Sequence, residues 1–115
     1  MTNPLAPNAL SGRRALVTGS SRGIGADTVR YFAEAGADVV INYRNKAARA
    51  EKLATELGAH GGRVLVEAAD LTSPESVAAM MADIQEQLGG LDVLVLNASG
   101  GMEGGMAEDY ALKLN

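Results

Sequence analysis

Short continuous apolar runs alternate with helical apolar stripes along this chain. Residues 15–17, 39–41, 64–66 and 93–96 form four runs of Ala, Val, Leu and Ile, each of strand length. A run with no polar alternation suits a strand covered on both faces, as in a parallel sheet. Between the first two runs, Val29, Phe32 and Ala33 recur at helical spacing and Gly36 supplies a stop. The next stripe is Ala50, Leu53, Ala54 and Leu57, with Asn45 as the expected cap and Gly58 as the expected terminator. The third has the strongest start: Ser73 can cap, Pro74 fits the first helical position, and Glu75 faces the positive helix end. Val77, Met80, Met81, Ile84 and Leu88 then trace its inner stripe, so the methionines read as core packing. Strand, helix and strand in regular succession predict an α/β sheet with crossover helices.

Beyond the fourth run lie a glycine-rich stretch, residues 99–105, and a helical pattern over 107–115 with Tyr110 and Leu114 four residues apart. That pattern has no terminating glycine or proline, and it reads as truncated in mid-course.

One domain is the expectation for 115 residues, with residues 1–11 as a loose tail and 12–115 as the folded unit. A formal charge of -4 and a pI near 4.9 leave no basic surface for nucleic acid, so any phosphate must be held locally. Cysteine is absent, which removes disulfides, thiolate metal sites and thiol nucleophiles and fits a reducing compartment, most simply the cytoplasm. The first eleven residues have no secretory pattern, and no apolar run approaches the ~20 residues that cross a bilayer. No metal site is expected.

Directly after the first run the chain reads Thr18, Gly19, Ser20, Ser21, Arg22, Gly23, Ile24, Gly25. Gly19 permits a tight turn, Gly23 lets backbone approach a diphosphate, and Gly25 allows helix to pack closely on strand. Free amides at the helix start would face the anion. Glycines that merely make a tight turn are the simpler alternative, but this triplet follows a strand, opens a helix, and precedes the end of the second strand by about twenty residues. A nucleoside-triphosphate loop is disfavoured because no Gly-Lys-Ser/Thr follows. At the end of the second strand stand Asn42, Tyr43 and Arg44, with no acid to accept from a ribose 2′-hydroxyl. Arg22 and Arg44 could instead bind a 2′-phosphate, which favours NADP over NAD, the alternative being that Arg44 is a solvated surface charge.

The pattern Thr18-Gly19-x-x-x-Gly23-Ile24-Gly25, together with Leu96-Asn97-Ala98-Ser99, resembles the short-chain dehydrogenase/reductase family from about residue 12 to the end. That resemblance implies a Rossmann-type doubly wound parallel sheet, here four strands in the order 3-2-1-4 with flanking helices. It also implies cofactor contacts from Gly19, Ser21, Arg22, Gly23, Ile24 and Gly25, from Tyr43 and Arg44, from Asp70 and Leu71 at the adenine, and from Asn97, Ala98 and Ser99. Asp70 could otherwise simply open the loop before Ser73. Leu96 stands where the family usually has an asparagine and Ser99 where it has glycine, so one polar tie is lost and the backbone is less permissive. Asn115 is similar to the helix asparagine that positions a catalytic water and lysine, or is a plain surface residue.

In this family a tyrosine acts as acid or base, a lysine four residues on lowers its pKa, and a serine orients the substrate carbonyl. Here Tyr31, Tyr43 and Tyr110 are followed at that distance by Ala35, Ala47 and Leu114. A free tyrosine, with a pKa of about 10, exchanges protons poorly at neutral pH, so the 115 residues alone are expected to be inactive. Two readings follow: the N-terminal portion of an oxidoreductase acting on a small carbonyl or alcohol, or a dinucleotide-binding or interaction module without chemistry. The fourth strand would be an apolar edge, inviting self-association or a completing C-terminal half. His60, in a glycine-rich loop, is given no catalytic role.

Overall fold

The computed structural model describes residues 3–97, which form four strands and three helices. In chain order these are β1 (Arg14–Val17), α1 (Gly23–Glu34), β2 (Asp38–Tyr43), α2 (Ala47–Leu57), β3 (Val64–Ala68), α3 (Pro74–Leu88) and β4 (Val93–Val95). All pairings are parallel and the sheet order is β3-β2-β1-β4, the expected doubly wound arrangement.

At β1 and β2 the unbroken apolar runs have the physical cause inferred from sequence, both sheet faces being covered; β3 is half-buried and β4 is partly exposed. Val39 and Ile41 point to one side, where Val29 and Ala33 of α1 and Ala50, Leu53 and Leu57 of α2 meet them. Val40 and Leu16 point to the other, against Met80, Ile84 and Leu88 of α3. Leu16, Ile41, Leu57 and Ile84 are almost wholly excluded from solvent, and each such side chain contributes about 1.5–3 kcal/mol of transfer free energy. α1 and α2 share a face because the chain steps twice in one direction from β1; α3 crosses back to β4 over the opposite face. The strand order therefore reverses between β1 and β4, where a crevice opens at the strands' carboxyl ends.

Ser73 caps α3 by accepting from the Ser76 amide at 3.2 Å, with Pro74 at the first turn as expected. Asn45 does not cap α2: the helix starts after Lys46 with no side-chain cap. Gly58 does not adopt the left-handed conformation either. The chain continues through a short 3-10 turn, Gly58–His60, and the left-handed residue is Gly61. Met81, assigned to the inner stripe of α3, is exposed, since the helix rolls toward Met80 and Ile84 and leaves Met81 at the rim.

Residues 3–11, read from sequence as a tail, run through turns. Asn3 Nδ2 donates to the Tyr31 carbonyl at 2.9 Å, the Leu10 amide donates to the Ala35 carbonyl at 2.9 Å, and the Leu10 side chain packs on the α1–α2 side of the core. At the amino-terminal end of β1, Arg14 grips Asp92 with two side-chain bonds of 2.9 and 3.1 Å, tying β1 to the start of β4. The Arg14 guanidinium and amide hold the Asp92 carboxyl down to about 2. Among the described residues no helix is long and apolar enough to cross a membrane.

Candidate functional site

The turn from Thr18 to Gly25 lies at the carboxyl ends of β1, β2 and β4, in the crevice made by the strand reversal. Thr18 continues the β1–β4 ladder: its amide donates to Val95 O at 3.0 Å, and its hydroxyl accepts from the Asn97 amide at 2.8 Å. Gly19 is held on both sides. Its amide donates to Asn42 Oδ1 at 2.9 Å and its carbonyl accepts from Asn97 Nδ2 at 3.2 Å. Ser20 and Asn42 exchange two further bonds, Ser20 amide to Asn42 carbonyl at 3.0 Å and Asn42 amide to Ser20 Oγ at 2.9 Å.

The glycines have different reasons to be glycine. A Cβ on Gly25 would collide with the Gly19 carbonyl and come within 2.5 Å of Asn97 Nδ2, so a helix residue here must lack a side chain. Gly23 has φ of 63° and nothing within 4 Å of where its Cβ would stand, so its open face is on the solvent side of the turn. α1 begins there after Arg22, with no side-chain cap and no acid in its first turn. Its leading amides and positive dipole end therefore have no side-chain cap or acid from within the helix. Ser21 is half-buried, and Arg22 and Ile24 are exposed. Ile24, at 78% exposure, is the least covered large apolar side chain in the described residues.

At the β2–β3 side of the crevice, Tyr43 is half-buried and Arg44 is exposed, its guanidinium 3.8 Å from Asp70 Oδ2. Asp70 accepts from the Thr72 hydroxyl at 2.6 Å and the Thr72 amide at 2.9 Å. Those two bonds, with Arg44 beyond them, hold its carboxyl below the usual range. Leu71 is exposed beside it. The structure thus brings Gly19, Gly25 and Asn97 into one cluster and Arg44 and Asp70 into another. Ala98, Ser99 and Asn115 lie outside the described residues. Among the described residues no group of acids or histidines is placed to hold a metal.

Sequence reasoning passed over two residues, Ser20 and Asn42, both buried and both bonded into the turn. The available signal was an asparagine closing an apolar strand opposite a glycine turn. An open apolar cleft of about 210 Å³ was also unforeseen. It lies between α3 and the face of β1 and β4, lined by Leu16, Thr18, Leu71, Val77, Met80, Met81, Leu94 and Leu96.

A glycine turn at the switch point of a doubly wound parallel sheet defines the class of Rossmann-type α/β proteins. The short chain dehydrogenase family pattern matches residues 13–113, and the chain belongs to that family. Short chain dehydrogenase/reductase nsrJ from Aspergillus novofumigatus is 42% identical over 98 residues, 85% of this chain and 37% of its own length. Versicolorin reductase 1 from Aspergillus parasiticus is 40% identical over 89 residues, 77% of this chain and 34% of its own length. Among solved structures, L-sorbose reductase from Gluconobacter frateurii, complexed with NADPH and L-sorbose, superposes with a TM-score of 0.77 at 36% identity, over 90% of this chain and 41% of that one. The chain therefore spans little more than a third of the length of these curated relatives.

Proposed function

We propose that this chain is the cofactor-binding portion of an NADP-dependent oxidoreductase that reduces a carbonyl or oxidises an alcohol on a small molecule. The observation that carries this reading is the clamped turn with its open side at Gly23 and an uncapped helix start directly behind it. Backbone can approach a diphosphate there without a side chain intervening, and the free amides supply donors. When bound, the nicotinamide group accepts or donates hydride. The chain's own residues bind and orient it: Gly19, Ser21, Arg22, Gly23, Ile24 and Gly25 at the diphosphate, Asp70 and Leu71 at the adenine, and Asn97, Ala98 and Ser99 along the inner ribose.

NADP is favoured over NAD by the chemistry at the end of β2. Tyr43 and Arg44 put a cation and no carboxylate on that strand end, and Asp70 holds the Arg44 guanidinium near the crevice. The NADPH complex of the related L-sorbose reductase supports the same choice. Asn115 is assigned a minor positioning role in catalysis. The 115 residues contain no tyrosine with a lysine four positions later, so this portion alone is inactive and the chemistry requires a completing half or a second chain along β4. A cytoplasmic location accords with the lack of cysteine.

That missing pair also favours a second reading, a dinucleotide-binding module without chemistry. A reading frame that continues past Asn115 into Tyr-x-x-x-Lys supports the oxidoreductase; an in-frame stop supports the module. Cofactor binding itself is tested by titrating the chain with NADPH and NADH and following cofactor fluorescence. Saturable binding with preference for NADPH, weakened about tenfold or more in Arg44→Asp, is expected. A folded chain that binds neither cofactor overturns the proposal.

A further inference from the structure

Asn42 is 2% exposed and follows the apolar run of β2, at the point where the strand passes beneath the glycine turn and meets buried Ser20. Val40, two residues earlier on the same face, packs against Met80 and Ile84, and a leucine at position 42 would extend that packing. An amide there forgoes apolar burial and must be fully hydrogen-bonded to be tolerated. It is. Oδ1 accepts from the Gly19 amide at 2.9 Å, while Nδ2 donates to the Glu67 carbonyl of β3 at 3.3 Å and lies 3.7 Å from Met80 Sδ of α3. The neutral amide is the group that offers an acceptor and a donor together; a carboxylate would set charge against the Glu67 carbonyl, and an apolar side chain would leave the Gly19 amide unmet.

The bonding continues into the proposed site. Asn42 holds the amide of Gly19 and Asn97 holds its carbonyl, from strands on opposite sides of β1. The Gly19 carbonyl is also the atom that Gly25 approaches too closely to carry a Cβ. Orientation at Gly19 thus fixes how the first turn of α1 sits over the crevice. We propose that Asn42 is a positioning residue for the dinucleotide cradle: it sets the Gly19 peptide from below and so aims the amides of residues 23–25. This role rests on the cofactor reading above for its functional consequence, but not for its structural one.

The test uses the intact chain and two readouts. Hydrogen exchange at the Gly19 amide reports the side-chain bond, with the Ser20 amide as internal reference because it bonds to the backbone carbonyl of Asn42. In the unsubstituted chain both amides are expected to be protected; Gly19 exchanging as an open amide overturns the proposal without any variant. Asn42→Leu keeps the branched side-chain shape, with slightly larger terminal groups, beside Met80. It is expected to speed exchange at Gly19 at least tenfold relative to Ser20 and to weaken NADPH binding, measured on folded protein by cofactor fluorescence, about tenfold. Lower urea resistance with unchanged NADPH affinity and unchanged relative exchange would mean a merely structural residue, and would overturn it. If the unsubstituted chain binds no cofactor but Gly19 behaves as described, the cofactor reading fails and the clamp stands. If the unsubstituted chain binds NADPH and Asn42→Leu binds it equally well, the positioning role fails and the cofactor reading stands.

Discussion

Gly23 and Gly25 are two residues apart, and both were read from the same motif, yet the structure separates their roles. Gly23 has open space and a left-handed backbone; Gly25 has ordinary helical surroundings and no space. Alanine at 25 raises intrinsic helix propensity by up to about 1 kcal/mol. Against that stands a collision with backbone at Gly19 and with the Asn97 amide, and overpacking of this kind costs about 1–3 kcal/mol. The clash wins because the obstructing carbonyl is itself held by Asn97 and cannot swing away. Gly25→Ala is therefore expected to lower stability by about 1–2 kcal/mol in urea denaturation, and a neutral or stabilising result would show that the turn yields. The spacing of the motif was legible in sequence. Which glycine faces solvent and which faces protein was not, because that depends on Asn97, far along the chain.

At the scale of elements, β3 and α3 meet through an acidic contact that periodicity gave no reason to expect. Glu67, on the inner face of β3, approaches Asp83 of α3, and burial together with that neighbour pushes its carboxyl up to about 7. The folded chain thus keeps the Glu67 proton up to about pH 7, whereas the unfolded chain releases it near the ordinary 4.5. This contribution to stability is present at low pH and is lost as pH rises between those values. For a partly solvated carboxylate the effect is on the order of 1 kcal/mol. Urea midpoints at about pH 5 and about pH 8 should differ more in the native chain than in Glu67→Gln; equal slopes would refute the assignment. The α3 cap at Ser73 was readable because serine, proline and glutamate occupy consecutive positions with one physical meaning. The starts and stops of α2 were not, since the capping preference of Asn45 and the left-handed backbone preference of Gly58 are not used here: Lys46 opens the helix and the 3-10 turn delays its exit to Gly61. Likewise the inner stripe of α3 was legible at Met80, Ile84 and Leu88, while Met81 depends on how the helix rolls on the sheet.

The whole molecule is asymmetric about β1. On the β2 side the sheet is covered on both faces, and Val39, Val40 and Ile41 have no measurable exposure. On the other side, β4 pairs only with β1 among the described residues, and Leu94 and Leu96 are about half exposed beside the apolar cleft. An apolar strand edge of this kind pairs with further backbone. Self-association of the 115-residue chain is expected, visible in analytical centrifugation as species larger than monomer that grow with concentration. A clean monomer that remains soluble when concentrated would oppose it, and Leu94→Lys should reduce any association observed. The sheet order was legible once the glycine turn pointed to the family. The cleft was not, because its lining comes from β1, β4 and α3 and the loops beside them, and no local window contains them together.

Asn97 meets Gly19 across 78 positions of chain. The β1–β2 pairing and its helix close within a short span, but the carbonyl side of the turn has no partner until β4 has docked beside β1. Contacts between such distant positions are late and slow because the intervening loop must first be closed. During synthesis or refolding the helices and the first three strands can therefore exist before a finished cradle does. Cofactor fluorescence in a refolding experiment would consequently time the closing of the β1–β4 seam, and helical circular dichroism would run ahead of it.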